Sequence, residues 1–372
     1  CYMTSEELDA LREEQMANKQ TPRYDGRWRP MEGKTLPKPP EGVDPVWRFM
    51  NPLHGFTEFR DLIKGRISVA NMQMDDLIVA RSDGVPTYNF CVVVDDIDMK
   101  MTHIIRGDDH VNNTPRQINL YKALGAQLPQ FAHLPTVLNR SGEKLSKRAG
   151  AKSVLDYKNE GFLPEALVNM LARLGWSHGN DEVFTPKQFV EWFDLPAVSH
   201  SPSRFDETKL GYLNRQHMRK LEIPDLLMRA MPELDAKVAK SAPYREGALL
   251  VQTRADNLHD FRNGMSYMLT DPETPAELIK ENLTKGAFCA IISLSESLKK
   301  IPWEAQNLAD VLTAARKSGG VTSHELMQPL RLMLTGQTKS PPIDDVMRVI
   351  GKTETLSRLK KQVINNSGAY DV

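Results

Sequence analysis

Little in this chain of 372 residues offers a covalent or membrane framework. Its three cysteines, Cys1, Cys91 and Cys289, are far apart with no paired spacing, which argues against a disulfide scaffold and fits a reducing compartment. No stretch reaches the roughly 18 apolar residues of a membrane span, and the opening Cys1-Tyr2-Met3-Thr4-Ser5-Glu6-Glu7 has neither the basic nor the apolar region of a signal peptide. There is no surplus charge of one sign: Lys plus Arg and Asp plus Glu each total 48, so a polyanionic partner would have to be met by a local basic patch. The first residue is not Met and stands beside a helix cap, so the chain is expected to begin mid-protein. What is present is 40% hydrophobic content, enough for a core divided among roughly two to three domains. These features predict a cytoplasmic protein with no membrane partner.

Along the chain, Thr4 to Asn18 reads as a short helix capped by Thr4 or Ser5. Residues 22–45 are rich in Pro, Gly and charge, a surface connection. Short β-like runs follow at Trp47 to Met50, Phe56 to Phe59 and Ile67 to Ala70, suggesting a small mixed insertion. Thr87 to Val94 and His103 to Arg106 read as two buried strands. Thr114 as N-cap and Pro115 in the first turn open a helix that Gly125 stops, with Ile118, Tyr121 and Leu124 on its apolar face. Phe131 to Leu138 reads as one further strand. This strand–helix–strand order is half of a doubly wound sheet, whose ligands bind beyond the C-terminal strand ends.

Helical patterns dominate from Leu163 onward. Leu167, Leu171 and Leu174 mark one apolar face, Phe189, Val190 and Phe193 another, and no strand signal follows Met218. The last helix carries Lys352, Arg358, Lys360 and Lys361, which for that helix alone reads as a solvated face. Cys91, inside a strand, and Cys289, inside an apolar helix, are expected to be core residues.

Two loops carry the chemistry. After Arg106 comes Gly107-Asp108-Asp109-His110. After Leu138 comes a loop holding Arg140, Lys144, Lys147, Arg148 and Lys152 against Glu143 and Asp156, with Ser141-Gly142 and Ala149-Gly150 allowing it to bend. Lysines are compact point charges suited to triphosphate oxygens and to the charge that grows on them in a transition state. Alone, Lys144-Leu145-Ser146-Lys147-Arg148 fits a solvated surface loop; placed after a sheet strand, it reads as a nucleotide contact.

That pentapeptide resembles the KMSKS signature of class I aminoacyl-tRNA synthetases. Nearly the whole chain is similar to the bacterial-type glutamyl-tRNA synthetase family through Pro86-Thr87-Tyr88-Asn89-Phe90, Val94-Asp95-Asp96, Ile105-Arg106-Gly107-Asp108-Asp109-His110, Asn113-Thr114-Pro115-Arg116-Gln117, Leu163-Pro164-Glu165-Ala166-Leu167, Leu174-Gly175-Trp176-Ser177, Lys209-Leu210 and Leu213-Asn214. The resemblance implies an α/β fold: the C-terminal half of a Rossmann-type catalytic domain with a mixed α/β insertion, followed by an all-α stem-contact and anticodon-binding region. The expected division is 1–85 for the acceptor-end insertion, 86–138 for the Rossmann half and 139–220 for the lysine loop and stem contact, then 221–305 and 306–372 for two helical anticodon domains.

The implied reaction is activation of L-glutamate by ATP with Mg2+, then transfer to tRNA(Glu) by a monomer. By the resemblance, Lys144, Ser146, Lys147 and Arg148 form the catalytic loop, with Lys147 on the ATP phosphates, Asp109 and His110 lie near the adenosine, and Tyr88 and Arg106 line the glutamate pocket. A guanidinium can meet a carboxylate bidentately where lysine cannot. Asp95 and Asp96 are given no catalytic role.

The sequence departs from the family in two places. Its other ATP signature, HIGH, does not occur, so a molecule starting at Cys1 is expected not to aminoacylate, leaving a non-catalytic tRNA-binding fragment as one alternative. Glutamylation of a modified tRNA base is another, against which the long helical C-terminal region argues. In the zinc region of many relatives, this chain has Met3 and Trp28 where cysteines would stand. A thioether and an indole cannot replace thiolates on zinc, so no zinc is expected.

Overall fold

A computed structural model of the chain describes residues 1–146 and 150–367. It divides into two compact units: Cys1–Ala149, Ala172–Glu182 and Lys187–Phe205 in the first, and Gly150–Leu171, Val183–Pro186 and Asp206–Val372 in the second.

The first unit opens with α1 (Ser5–Ala17), where Thr4 accepts from the amide of Glu7 and Glu7 returns the bond, a capping box that satisfies two orphan donors. β1 (Trp47–Arg48), β2 (Phe56–Asp61) and β3 (Gly65–Ala70) fall on the β-like runs of the sequence, and β4 (Ile78–Ala80) is a short strand beyond them. β2 and β3 form an antiparallel hairpin, and β1 pairs with β4. Next come α2 (Tyr88–Asp98), β5 (His103–Gly107), α3 (Thr114–Ala123), β6 (Gln130–Leu134) and β7 (Val137–Leu138). β5 and β6 are adjacent and parallel with α3 as their crossover, and the main sheet runs β3-β2-β6-β5. This βαβ unit is the expected Rossmann half.

Four expectations in this unit are corrected. The run Thr87 to Val94 is not a strand: Thr87 caps α2, whose Val93 is buried while Phe90 and Ile97, at helical spacing, pack with Leu120 and Tyr121 of α3. One-sided packing of the 3.6-residue stripe outweighs the β preference of the three valines. Cys91, Asp95 and Asp96 are consequently helical, Cys91 is half-buried, and Asp96 accepts from the Tyr121 hydroxyl. Thr114 is not the cap but the first residue of α3, after Asn113. The strand expected from Phe131 to Leu138 is two, because Pro135 has no amide proton and Thr136 turns its side chain to Asp108, after which β7 pairs with β8 (Ser203–Arg204) instead.

The second unit is helical: α4 (Val154–Asn159), α5 (Pro164–Arg173), which runs across the unit boundary as does α6 (Pro186–Trp192), then α7 (Glu207–Lys220), α8 (Ile223–Ala230), α9 (Ala236–Ala239), α10 (Ala242–Gln252), α11 (Leu258–Leu269), α12 (Ala276–Asn282), α13 (Lys285–Leu298), α14 (Ala305–Ser318), α15 (Ser323–Thr335) and α16 (Ile343–Ser367), broken at Gly351. Phe288, Ile291, Leu294, Leu330, Met333 and Val346 are fully buried in one core at its C-terminal end. Asn214, in the motif Leu213-Asn214, accepts from the amide of Leu163 and donates to the carbonyl of Asp256, joining three segments.

Here too the apolar stripes need correction. Leu167 and Leu174 are buried but Leu171 is exposed, because Ala166, Asn169 and Met170 take the inner face. Val190 and Phe193 are exposed while Phe189 packs edge-on to Trp176. Cys289 is exposed beside buried Phe288 and Ala290, so it is no core residue. Lys152, counted among the lysine-loop cations, pairs with Glu160 and Glu207. Arg358 is buried rather than solvated. No helix among the described residues is long and apolar enough to cross a membrane.

Candidate active site

The two loops singled out in the sequence follow β5 and β7, β7 coming just after β6, the parallel neighbour of β5, and the side chains tie the loops together. Thr136 donates to Asp108 Oδ1 at 2.7 Å, and Lys64 holds the other oxygen at 3.0 Å. Lys144 Nζ donates to Asp109 Oδ2 at 2.8 Å. That bond, ahead of other causes, holds the Asp109 carboxyl below its ordinary value.

Lys144 is placed by a tight turn. The Asn139 amide donates to the Glu143 carbonyl, Glu143 N and Ser141 Oγ both donate to Asn139 Oδ1, and Gly142 supplies the φ of +90° that a side chain would resist. The lysine loop therefore starts as a pinned hairpin, with Leu138 bridged to Lys144 and the Leu145 amide on Val137 O. Ser146 closes this described stretch. Lys147 and Arg148, the expected phosphate contacts, lie outside the described residues.

Tyr88 begins α2 and is about half exposed, its ring 5.9 Å from that of His110. Arg106, at the end of β5, is fixed from several sides: Nε donates to His133 Nε2 at 3.2 Å, and Nη2 donates to Gln117 Oε1 at 2.7 Å and Thr114 Oγ1 at 2.8 Å. Gln117 in turn donates to Asn89, the neighbour of Tyr88. Burial first of all lowers the Arg106 guanidinium from its usual value, though such a group stays charged. Among the described residues Nη1 has no partner, so two N–H donors of this fixed cation remain for a ligand. The bidentate fork expected at this arginine is thus partly committed internally.

The structure therefore brings Tyr88, Arg106, Asp109, His110 and Lys144 to one region. It adds residues that the sequence reading missed: Asp61, Lys64, Asn89, His133 and Thr136. His133 was legible as a titratable residue inside the buried strand Phe131-Ala132-His133, but its partner Asp61 is 72 residues away. Where many relatives carry zinc, Met3 and Tyr24 are buried, Trp28 packs at 5.1 Å from Tyr2, and the Tyr24 hydroxyl accepts from the Trp28 amide. Among the described residues no group of three or more His, Cys, Asp or Glu is placed to hold a metal.

Comparisons with known proteins identify the family. The family profile described as tRNA synthetases class I (E and Q), catalytic domain, matches residues 1–212, and an anticodon-binding-domain profile matches 225–363. The chain is 46% identical over 370 residues to a glutamate–tRNA ligase of Paraburkholderia phytofirmans, covering 98% of this chain and 79% of the relative. It is 47% identical to one from Paracidovorax citrulli, covering 97% and 76%. Among solved structures, a glutamate–tRNA ligase from Elizabethkingia meningosepticum in complex with its amino acid is 29% identical, with TM-score 0.77 over 98% of this chain and 78% of that one. The glutamate–tRNA synthetase of Elizabethkingia anophelis matches with TM-score 0.72 at 30% identity, covering 98% of this chain and 79% of that one.

Proposed function

The chain belongs to the class I glutamyl- and glutaminyl-tRNA synthetases, and from that premise we propose how its residues divide the work of a glutamate–tRNA ligase. Its substrates are L-glutamate, ATP and tRNA. Glutamate's α-carboxylate attacks the α-phosphate of ATP, pyrophosphate leaves, and a terminal ribose hydroxyl of tRNA then takes the glutamyl group. No protein nucleophile is required, so the protein's part is positioning and charge stabilisation.

In this reading Arg106, through Nη1, meets a glutamate carboxylate, with Tyr88 as the adjoining wall. Asp109 and His110 approach the adenosine. Lys144 and Ser146 lead the lysine loop to the ATP phosphates, where Lys147 and Arg148 follow in sequence. Mg2+ enters with ATP as part of the substrate. The first unit supplies the catalytic and acceptor-end regions within 1–85, 86–138 and the lysine loop; the helices of 221–305 and 306–372 meet the anticodon arm of tRNA(Glu). A monomer working in the cytoplasm completes the proposal.

The observation that carries this assignment is the bond from Lys144 to Asp109, which joins the lysine loop after β7 to the loop after Arg106 at the end of β5. The test is glutamate-dependent ATP–pyrophosphate exchange and tRNA(Glu) charging by the full-length protein. Exchange with glutamate and none with glutamine is expected. Salt-sensitive tRNA binding with no exchange would instead support a tRNA-binding module. Lys144→Ala is expected to slow exchange about tenfold at subsaturating ATP, below the roughly 100- to 1000-fold cost of losing a buried stabilising donor because this lysine is largely exposed. An unchanged rate would remove Lys144 from the site.

A further inference from the structure

Behind Arg106 lies a buried polar chain that the reaction itself does not use. Asp61 and His133 are fully buried, and His133 Nδ1 stands 2.6 Å from Asp61 Oδ2. The other carboxylate oxygen, Oδ1, accepts from the amides of Ile63, Lys64 and His133 at 2.9, 2.8 and 3.2 Å. Burial by itself would raise the Asp61 carboxyl, but these donors outweigh it and hold the group below its usual value. Burial dominates at His133 and lowers it, against the pull of Asp61.

Hydrogen-bond polarity then fixes the histidine tautomer. An ionised Asp61 can only accept, so Nδ1 carries the proton. Nε2 of the neutral ring is then an acceptor, and it faces Arg106 Nε–H, which can only donate, at 3.2 Å, and the Thr114 hydroxyl at 3.1 Å. Each donor meets an acceptor from the β2–β3 turn through β6 to the guanidinium on β5.

We propose that Asp61 and His133 are positioning residues for glutamate recognition: Asp61 sets the Nδ1–H tautomer of His133, and the Nε2 lone pair so exposed fixes the plane of the Arg106 guanidinium and aims Nη1 at the substrate carboxylate. This rests on the assignment of Arg106 to glutamate. It also gives the β2–β3 turn a role in amino-acid binding, because Asp61 ends β2 and its side chain holds the turn amides.

The tautomer logic supplies an isosteric test. In Asp61→Asn the amide oxygen remains opposite the three backbone amides, so the NH2 group faces His133 Nδ1 and donates to it. The ring proton then moves to Nε2, where Thr114 Oγ1 can accept it but Arg106 Nε–H loses its acceptor. In His133→Gln the side-chain amide reaches the Nε2 position and can offer its oxygen to Arg106, whereas the shorter His133→Asn side chain reaches only the Nδ1 position.

Nitrogen-15 spectra of histidine-labelled protein read the tautomer, and calorimetric titration reads glutamate and ATP affinity separately. The parent protein is expected to show an Nδ1–H ring at position 133, and Asp61→Asn an Nε2–H ring. Glutamate should bind about tenfold or more weakly to Asp61→Asn and His133→Asn, with ATP affinity within about twofold and a cooperative thermal transition retained for Asp61→Asn; each tenfold step corresponds to about 1.4 kcal/mol. His133→Gln should retain most of the affinity. An Nε2–H or doubly protonated ring in the parent overturns the relay. So does Asp61→Asn with the ring flipped and glutamate affinity unchanged. A parent with the stated tautomer but no glutamate binding would refute the glutamate assignment while upholding the tautomer mechanism.

Discussion

Arg106→Lys is expected to weaken glutamate binding about 100-fold while leaving ATP affinity within about twofold. The arginine serves His133, Thr114 and Gln117 through Nε and Nη2 and still has Nη1 for a ligand. An ammonium on one flexible stem cannot do both. If it turns inward to Gln117 and Thr114, the carboxylate of the substrate loses its cation. If it turns outward, His133 Nε2 and Gln117 Oε1 lose a donor in a half-buried setting. Hydrogen bonds to charged groups contribute about 1.5–3 kcal/mol, and loss of one partner of a desolvated charge pair costs about 2–5 kcal/mol. A net loss near 3 kcal/mol is therefore reasonable, which is the stated factor of 100. Calorimetric titration with glutamate on parent and variant decides it. Affinity within about threefold of the parent would show that Arg106 is structural, a strut between β5 and α3 and not a ligand contact.

The features most legible in the sequence are those set by local pattern. Gly125 after a 3.6-residue stripe ended α3 at the expected place, and the order β5-α3-β6 followed from the apolar runs together with the Pro115 start and Gly125 stop signals. Arg106, Asp109 and Lys144 were visible because short polar segments directly follow apolar strands. What could not be read depends on tertiary choice. The valines of 92–94 suit a strand, and only the contact of Phe90 and Val93 with α3 makes them helical. The partner of His133 could not be found by spacing, since Asp61 looks like an ordinary turn aspartate until β2 is set beside β6. Charge was misleading for the same reason: a basic residue on an amphipathic helix is usually solvated, and Arg358 is not.

Arg358→Met should unfold the helical unit more readily than any loss of a surface charge would suggest. The side chain is only 6% exposed. Its Nη1 donates to the carbonyl of Leu334 at 2.7 Å and its Nη2 to the carbonyl of Tyr267 at 2.9 Å. Both carbonyls lie in the last turns of helices, α15 and α11, where no intrahelical donor exists. One guanidinium thus caps two helices and brings a positive charge to the negative ends of both dipoles. Nε also meets Glu354 at 2.6 Å, but that carboxylate is substantially exposed and the pair adds little by itself.

Methionine fills much of the volume and satisfies neither carbonyl. Two unsatisfied buried acceptors at about 1–3 kcal/mol each imply a loss of about 3–4 kcal/mol. For a unit of this size that lowers the transition by about 10 °C. Arg358→Lys, able to reach one carbonyl only, should fall between. Thermal melts followed by circular dichroism at helical wavelengths measure the shift, and glutamate titration should be unchanged because Arg358 lies outside the catalytic unit. A shift below about 2 °C for the methionine variant would mean that water replaces the guanidinium at both helix ends, and that this arginine's burial has no structural consequence.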